Sequence, residues 1–425
     1  MKFATYTLGC KVNHYDTQAM AEKLLAQGYT CVEFDEIADV YLINTCTVTN
    51  TADKKSRNII RRAIKKNKDA VVCVCGCLSQ RDGEELAKML GISAVIGTDE
   101  RANIVQIVQS CMQGKHVFAV NDISQQKEYE ELSVKTSGEQ TRETIKIQEG
   151  CNNFCSYCII PYVRGRVRSR SAIRIIDEAK ALAQKGIKEI VLTGIHISSY
   201  GQDNGEELFA LIGELNNIDG ILRIRLGSIE PHILTADFLR KMAEFKKVCP
   251  HFHVSLQSGS DSVLVRMNRK YTSAQFAQYI ENIRDVYENP AITTDIITGF
   301  PGETEEEFLQ TCDFARKVKF SRIHVFPYSQ RDGTVAAAMK DQIPQAVRKQ
   351  RAGKLIQIAK ELESRYINLF IGTWQDVLFE QYTKDGFCEG YTDRYLRVHA
   401  KNNPNEYKKV LLKTNKNDMI IGETE

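Results

Sequence analysis

Three thiols stand at Cys151, Cys155 and Cys158 in the run Cys151-Asn152-Asn153-Phe154-Cys155-Ser156-Tyr157-Cys158, a CxxxCxxC spacing. Three closely spaced thiolates can hold three corners of a cubane [4Fe–4S] cluster. No fourth cysteine follows at ferredoxin spacing, so one iron would keep an open position for another ligand. A structural zinc site competes for the same cysteines, but it wants four protein ligands and no spare His or Cys stands nearby in the sequence.

A second set is scattered. Gly9-Cys10, Asn44-Thr45-Cys46 and Gly76-Cys77 each end an apolar run in the first hundred residues. In an open α/β sheet the carboxyl ends of the strands line one crevice, so Cys10, Cys46 and Cys77 would converge there and could again hold a cluster with a free iron. Cys73 and Cys75 are the nearest rivals to Cys77; the position after a glycine favours Cys77. The remaining cysteines read as small buried hydrophobes.

The elements that must position these thiols follow from periodicity. Over residues 1–120, apolar runs at 3–8, 40–44, 70–75 and 94–96 alternate with helical patterns at 14–27, 52–66, 81–90 and 102–111, which predicts βαβ units and a doubly wound parallel sheet. Residues 121–142 turn polar and read as a linker or an exposed strand pair. Over 143–367, strands at 145–148, 189–193, 223–227, 252–257, 294–298 and 322–326 are separated by long amphipathic helices, the signature of a partial (β/α)6 barrel whose working end is the carboxyl ends of its strands. Short alternating runs at 375–380, 387–391, 395–399, 408–413 and 418–421 predict a small antiparallel β-barrel over 368–425.

Composition narrows the class. The 425 residues are 43% hydrophobic and 26% charged, an ordinary folded protein with neither wholesale disorder nor a multi-span membrane architecture. The N-terminus lacks a secretory apolar region, so a cytoplasmic protein is expected, and 13 cysteines in a reducing compartment read as ligands more than as bridges. A net charge of +3 leaves any polyanion to be met by local patches.

Such patches exist. Lys54, Lys55, Arg57, Arg61 and Arg62 belong to a basic helix balanced by a single acid, Asp53. Arg164, Arg166, Arg168 and Arg170 alternate just after the CxxxCxxC loop and would share one face of an extended segment. Arg397, with Tyr391, Tyr395, Lys401, Lys408, Lys409 and Lys413, suits a small barrel that grips folded RNA. All three are expected to contact nucleic acid. His14, His196, His251 and His253 fit no Ser-His-Asp or Cys-His-Asp order and read as packing or surface histidines.

The CxxxCxxC loop with its aromatic Tyr157 resembles the signature of the radical S-adenosylmethionine (SAM) enzymes. Over essentially its whole length the chain is similar to one branch of them, the methylthiotransferases. The resemblance rests on Thr7-Leu8-Gly9-Cys10-Lys11-Val12-Asn13, Asn44-Thr45-Cys46-Thr47-Val48-Thr49, Gly76-Cys77, the triad Cys151, Cys155 and Cys158, Leu256-Gln257-Ser258-Gly259-Ser260, Met267-Asn268-Arg269, and the run from Asp295 to Thr304. Glu389-Gly390-Tyr391-Thr392 and Tyr395 resemble the RNA-binding TRAM domain over a shorter stretch.

The resemblance implies two [4Fe–4S] clusters, on Cys151, Cys155 and Cys158 and on Cys10, Cys46 and Cys77, with two SAM molecules used per turnover. One SAM would yield a 5′-deoxyadenosyl radical and the other a methyl group for sulfur. It places Tyr157, Gly194, Ser228, Glu230, Gln257 and Gly299 around SAM, although Leu192-Thr193-Gly194 departs from the family's common Gly-Gly-Glu. The Cys-Lys-Val-Asn version of the first motif resembles the enzymes acting on N6-threonylcarbamoyladenosine at position 37 beside the tRNA anticodon, whose product is the 2-methylthio derivative. Implied partners are tRNA, an electron donor such as flavodoxin or ferredoxin, and a sulfur source, with no membrane. Isopentenyladenosine tRNA or a ribosomal-protein aspartate are same-chemistry alternatives. A non-catalytic iron–sulfur or zinc RNA-binding protein is the alternative from another class.

Overall fold

The computed structural model describes residues 1–134, 141–416 and 419–424. The N-terminal unit is built from β1 (Lys2–Thr7), α1 (Lys11–Ala26), β2 (Thr30–Val32), β3 (Val40–Thr45), α2 (Asn50–Lys66), β4 (Val71–Gly76), α3 (Cys77–Ala87), β5 (Ala94–Ile96), α4 (Ile104–Met112) and β6 (Val117–Ala119). The strands lie in the order β2-β1-β3-β4-β5-β6 and all pair in parallel. Both faces are covered, as a parallel sheet requires. Met20 and Leu24 of α1 and Ile104 and Val108 of α4 pack on one face, Ile60 and Ala63 of α2 and Leu78 and Leu86 of α3 on the other. The sheet is therefore doubly wound. The three-residue strands β2 and β6 escape periodicity because they lie at the sheet edges and are at most partly buried, unlike the equally short but buried β5.

The central unit contains β7 (Arg142–Glu149), α5 (Ile160–Val163), β8 (Arg168–Ser169), α6 (Ala172–Gln184), β9 (Glu189–Gly194), α7 (Leu208–Asn216), β10 (Arg223–Leu226), β11 (Ser228–Ile229), α8 (Ala236–Met242), β12 (His251–Val254), α9 (Asp261–Arg266), α10 (Ser273–Val286), β13 (Ala291–Thr298), α11 (Glu305–Val318), β14 (Arg322–Pro327) and α12 (Gln345–Asn368). One sheet runs β10-β9-β7-β8 and the other β11-β12-β13-β14. Gly227 interrupts what is one barrel strand, β10 into β11, and a bridge from Ile224 to Val248 joins the halves. The result is an open six-strand parallel barrel with β8 added antiparallel at its edge. Helices are stopped and started by side chains: Thr272 and Thr304 each make a reciprocal capping box, with Gln275 and Glu307.

Strands β15 (Trp374–Tyr382), β16 (Cys388–Thr392), β17 (Arg397–Ala400), β18 (Tyr407–Lys416) and β19 (Met419–Thr424) close into a barrel in the order β15-β16-β17-β19-β18. It is not wholly antiparallel: β17 and β19 pair in parallel, because the chain crosses over through β18 before β19 closes the barrel. Asp418, expected at the start of the last strand, lies outside the described residues.

The polar stretch after Asn121 works as a strap rather than a free linker over its described part, residues 121–134. Leu132 and Val134 are buried against Tyr15 and Ala19, the Tyr15 hydroxyl donates to Leu132 O at 2.8 Å, and Glu130 and Glu131 pair with Arg101 and Arg170. Its carboxylates satisfy buried guanidiniums on both large units, which explains its polar composition. The rest of that stretch, 135–140, lies outside the described residues.

The expected nucleic-acid face at Arg164, Arg166, Arg168 and Arg170 does not form. Arg164, Arg168 and Arg170 are buried, and only Arg166 is exposed. The segment is a short helix and a two-residue strand instead of one extended run, so alternation does not sort the four side chains outward. A buried guanidinium needs carboxylates. Arg164 finds Asp16 and Glu149 at 3.0 Å each, and Arg170 finds Glu178 at 2.6 Å. Arg168 donates to the carbonyl of Arg164 at 3.0 Å.

Candidate functional site: two thiol triads and a shared cavity wall

Two thiols of the N-terminal set lie at helix starts, Cys10 as the N-cap of α1 and Cys77 as the first residue of α3, while Cys46 lies in the loop directly after β3, ahead of the α2 N-cap Thr49. Helix N-termini favour anionic sulfur. The glycines before two of them have no substitute. Gly76 has φ +95°, and a Cβ there would stand 2.3 Å from Asn44 Oδ1 and 2.6 Å from Thr45 O. Gly9 has φ +105°, and a Cβ there would stand 3.0 Å from Cys46 Sγ. Asn13 locks the arrangement by donating to Leu8 O at 2.7 Å and Thr45 O at 3.0 Å. Burial pushes the Cys46 thiol up to about 12, and the neighbouring Cys77 and Cys10 sulfurs push the same way. Burial also raises Cys77, against the pull of Arg164. The rivals Cys73 and Cys75 point into the core beneath α1 and α4 and take no part.

The second triad lies in the loop after β7. Cys151 N donates to Gly165 O at 3.0 Å, Ser156 N to Met267 O at 3.0 Å, and Asn268 Nδ2 to Phe154 O at 3.0 Å. The Met267-Asn268-Arg269 turn thus clamps the loop. Arg269 donates through Nη1 to Cys155 Sγ at 3.3 Å and through Nη2 to both Glu230 oxygens at 2.8 and 2.7 Å. Burial pushes Cys151 to about 11 and Cys158 to about 12. Thiols held this high are protonated at neutral pH until a metal displaces the proton.

The barrel triad and Cys10 open on one cavity of about 600 Å³, walled by all three units: Cys10, Lys11 and Val48 from the first, Cys151, Cys155 and Cys158 with the barrel's inner face from the second, and Tyr395 from the third. Cys46 and Cys77 are buried behind Cys10 and do not line it. Of the residues expected around SAM, Tyr157, Gly194, Ser228, Glu230 and Gln257 line it. Gly299 does not. It forms a turn whose N–H donates to Glu303 Oε2 at 2.7 Å, and a Cβ on it would meet Arg348 Cγ at 2.2 Å, so its glycine serves the packing of α12.

Several wall residues were not singled out from sequence. Arg269 was visible only as part of a motif. His196, His251 and His253, read from sequence as packing or surface histidines, line the cavity together with His324, which was not singled out. His253 Nε2 lies 3.4 Å from Asp295 Oδ2 and its Nδ1 2.9 Å from Thr293 Oγ1. Adjacent strands β12, β13 and β14 bring these residues together through the registers His253 to Thr293 and Asp295 to His324, a relation no local pattern carries.

The basic surfaces sort by partner. Lys54, Lys55 and Arg61 are exposed on α2. Arg57 is held by Asp82 at 2.8 Å and Glu85 at 3.2 Å, Arg62 pairs with Asp35, and Arg397 donates to Glu389 at 2.6 Å, so part of this charge is balanced within the protein. Tyr395 faces the barrel instead of solvent, stacked on Tyr391 with ring centroids 4.8 Å apart and beneath the Arg142 and Arg225 guanidiniums. Arg166 sits over the Phe154 ring at 4.4 Å.

A sheet-plus-open-barrel fold with a three-thiol loop at the strand ends defines a radical SAM protein, and the Radical SAM superfamily model matches residues 145–315. Residues 2–97 match Uncharacterized protein family UPF0004. The chain is 44% identical over 402 residues to the threonylcarbamoyladenosine tRNA methylthiotransferase MtaB of Bacillus subtilis, covering 93% of this chain and 89% of that one. It is 37% identical to the tRNA-2-methylthio-N(6)-dimethylallyladenosine synthase of Pelotomaculum thermopropionicum, covering 89% and 86%. The fold also matches the radical SAM methyltransferase TsrM from Kitasatospora setae with a TM-score of 0.60 at 15% identity, over 79% of this chain and 74% of that one. The chain belongs to the radical SAM tRNA methylthiotransferases.

Enzymes of this family work with two [4Fe–4S] clusters and SAM, and the donor sets fit. Each triad offers three soft sulfur ligands without a fourth, so each leaves room for an exogenous ligand. No helix among the described residues is long and apolar enough to cross a membrane.

Proposed function

We propose that this enzyme exchanges the C2 hydrogen of adenine for a methylthio group in N6-threonylcarbamoyladenosine at position 37 of tRNA. In this reading Cys151, Cys155 and Cys158 hold the cluster that binds SAM, and Cys10, Cys46 and Cys77 hold the cluster that carries sulfur. When bound, these groups supply one-electron chemistry that removes the C2 hydrogen and a methyl-bearing sulfur that replaces it.

The protein's own residues do the positioning. Arg269 fixes Glu230 at the cavity wall and donates to Cys155, so one guanidinium links the sulfur to the carboxylate. Tyr157, Gln257, Gly194 and Ser228 wall the space beside the barrel triad, and the missing side chain of Gly194 makes room for Gln148, 3.0 Å from where its Cβ would stand. Lys54, Lys55, Arg61 and Arg166 meet the RNA backbone outside.

The observation that carries this reading is that Cys10 of the N-terminal set and the whole barrel triad, from separate domains, line one cavity. An adenine held there lies beside both sets of thiols. The electron donor is a small redox protein such as flavodoxin or ferredoxin, a sulfur source supplies the transferred sulfur, and the enzyme works in the cytoplasm, where tRNA is modified.

The test is nucleoside mass spectrometry after anaerobic reaction of the reconstituted enzyme with tRNA bearing either modified adenine. The reading expects the mass gain of a methylthio group on threonylcarbamoyladenosine. A gain on isopentenyladenosine alone overturns the substrate assignment.

A further inference from the structure

The cavity wall carries a second kind of donor set besides the thiols. His253 on β12, Asp295 on β13 and His324 on β14 stand on adjacent parallel strands, and all three line the cavity. The register opposes His253 to Thr293 and Asp295 to His324, and residues two apart on a strand share a face, so the three side chains converge on the barrel's inner side. One imidazole nitrogen from each histidine and a carboxylate oxygen of Asp295 all lie within 4.8 Å of one another.

Three details fit a shared cation better than a plain ion pair. Of the carboxylates on the cavity wall, Glu230 is taken by the Arg269 guanidinium at 2.7 Å, whereas among the described residues Asp295 pairs with no lysine or arginine. His253 Nε2 stands 3.4 Å from Asp295 Oδ2, which is long for a hydrogen bond. It is the separation of two ligands on one ion, since bonds of about 2.0–2.2 Å put neighbouring donors about 3.0–3.5 Å apart. His253 Nδ1 is hydrogen-bonded to Thr293 Oγ1 at 2.9 Å, which fixes the ring with Nε2 toward Asp295, as the outer partner of a metal-bound histidine does.

We propose that His253, Asp295 and His324 bind one first-row divalent cation through two imidazoles and a carboxylate. Nitrogen and oxygen donors with open positions suit Mn²⁺, Fe²⁺ or Zn²⁺ and set this site apart from the soft thiol triads. His253 and Asp295 are half-buried and His324 is exposed, so the ion is reached from the cavity and keeps its remaining positions for water or an oxygen ligand there. The exposed His324 ring has room to turn the remaining distance toward the ion. The inference does not depend on which nucleoside the enzyme modifies.

The test uses anaerobic holoenzyme with its clusters in the oxidised, EPR-silent state, after passage over a chelating resin. Mn²⁺ is the probe, because it prefers nitrogen and oxygen donors to thiolate and its free form is counted directly by EPR. Wild type is expected to take up about one Mn²⁺ per chain beyond the cluster iron, with imidazole nitrogen couplings in pulsed EPR. Asp295→Asn and His324→Gln should each weaken Mn²⁺ binding by at least about 10-fold, the scale of losing even an outer partner, at unchanged iron content and circular dichroism. His324→Gln alters an exposed side chain and so decides the question even if Asp295→Asn unfolds the barrel.

No Mn²⁺ uptake by the wild type overturns the inference. Uptake that both variants retain also overturns it, as does bound Mn²⁺ without nitrogen couplings, which would assign the ion to surface carboxylates.

Discussion

Arg164 and Cys77 meet across the boundary between the N-terminal sheet and the barrel: the guanidinium Nε donates to Cys77 Sγ at 3.2 Å while Nη1 reaches Asp16 and Glu149 at 3.0 Å each. One buried side chain therefore ties a thiol of the proposed N-terminal cluster set to the carboxylates that hold both domains together. Arg269 repeats the device at the other triad with Cys155 and Glu230.

Arg164→Ala should leave Asp16 and Glu149 under-compensated in the interior, costing about 3–5 kcal/mol in anaerobic denaturant unfolding. It should also lower iron occupancy of the N-terminal site. Arg164→Lys keeps the charge but not the forked donors, so it should recover only part of the stability.

Removing the Arg269 donor destabilises the reduced, more negative cluster more than the oxidised one, because the hydrogen bond strengthens with charge on sulfur. Arg269→Gln should therefore lower the midpoint potential of the barrel cluster by roughly 30–60 mV, the one-electron equivalent of roughly 0.7–1.4 kcal/mol. An EPR-monitored redox titration reads this. An unchanged potential with intact iron content contradicts it.

The same interior predicts a pH dependence. Burial pushes the Asp16 and Glu149 carboxyls up, but Arg101, Lys146 and Arg164 outweigh it and hold both below their ordinary values of 3.8 and 4.5. Lys146 lies 2.6 Å from Asp16 and 3.0 Å from Glu149. The unfolded chain then binds more protons than the folded one in mild acid. The stabilisation is fully present well above pH 4.5 and is lost as pH falls through and below the ordinary values. Denaturation midpoints should fall steeply on acidification, and Asp16→Asn, less stable at neutral pH, should show a shallower fall.

If the exposed side of α2 meets the tRNA backbone, substituting Lys54, Lys55 and Arg61 together by Gln should reduce the slope of log K against log salt by about two to three. Filter binding over a salt series measures it. An unchanged slope would assign that face to solvent.

Much of the site was legible because its chemistry is written locally. Gly9-Cys10 and Gly76-Cys77 mark strand ends, and once the sheet is doubly wound those ends must converge. The barrel strands carried enough alternation to be located within a few residues. What failed was everything set by partners distant in sequence. Arg164, Arg168 and Arg170 looked like a nucleic-acid face because nothing near them announces Asp16, Glu149 and Glu178 as their partners or places their backbone in the interior. Gly299 looked like a ligand contact because its clash with Arg348 of α12 is invisible without the fold. Glu130 and Glu131 looked like linker polarity for the same reason, since the cations they satisfy lie in other units.

The account stands on two separable clusters serving one reaction. Anaerobic iron counting, paired with assays for 5′-deoxyadenosine and methylthiolated nucleoside, should be made on wild type and on two variants, Cys10, Cys46 and Cys77 all to Ala, and Cys151, Cys155 and Cys158 all to Ala. The prediction is about eight irons in the wild type and about four in each variant. The first variant should still cleave SAM but form no methylthio product, and the second should do neither. Four irons in the wild type, or methylthio product from the first variant, would contradict the second cluster and the role given to its three thiols.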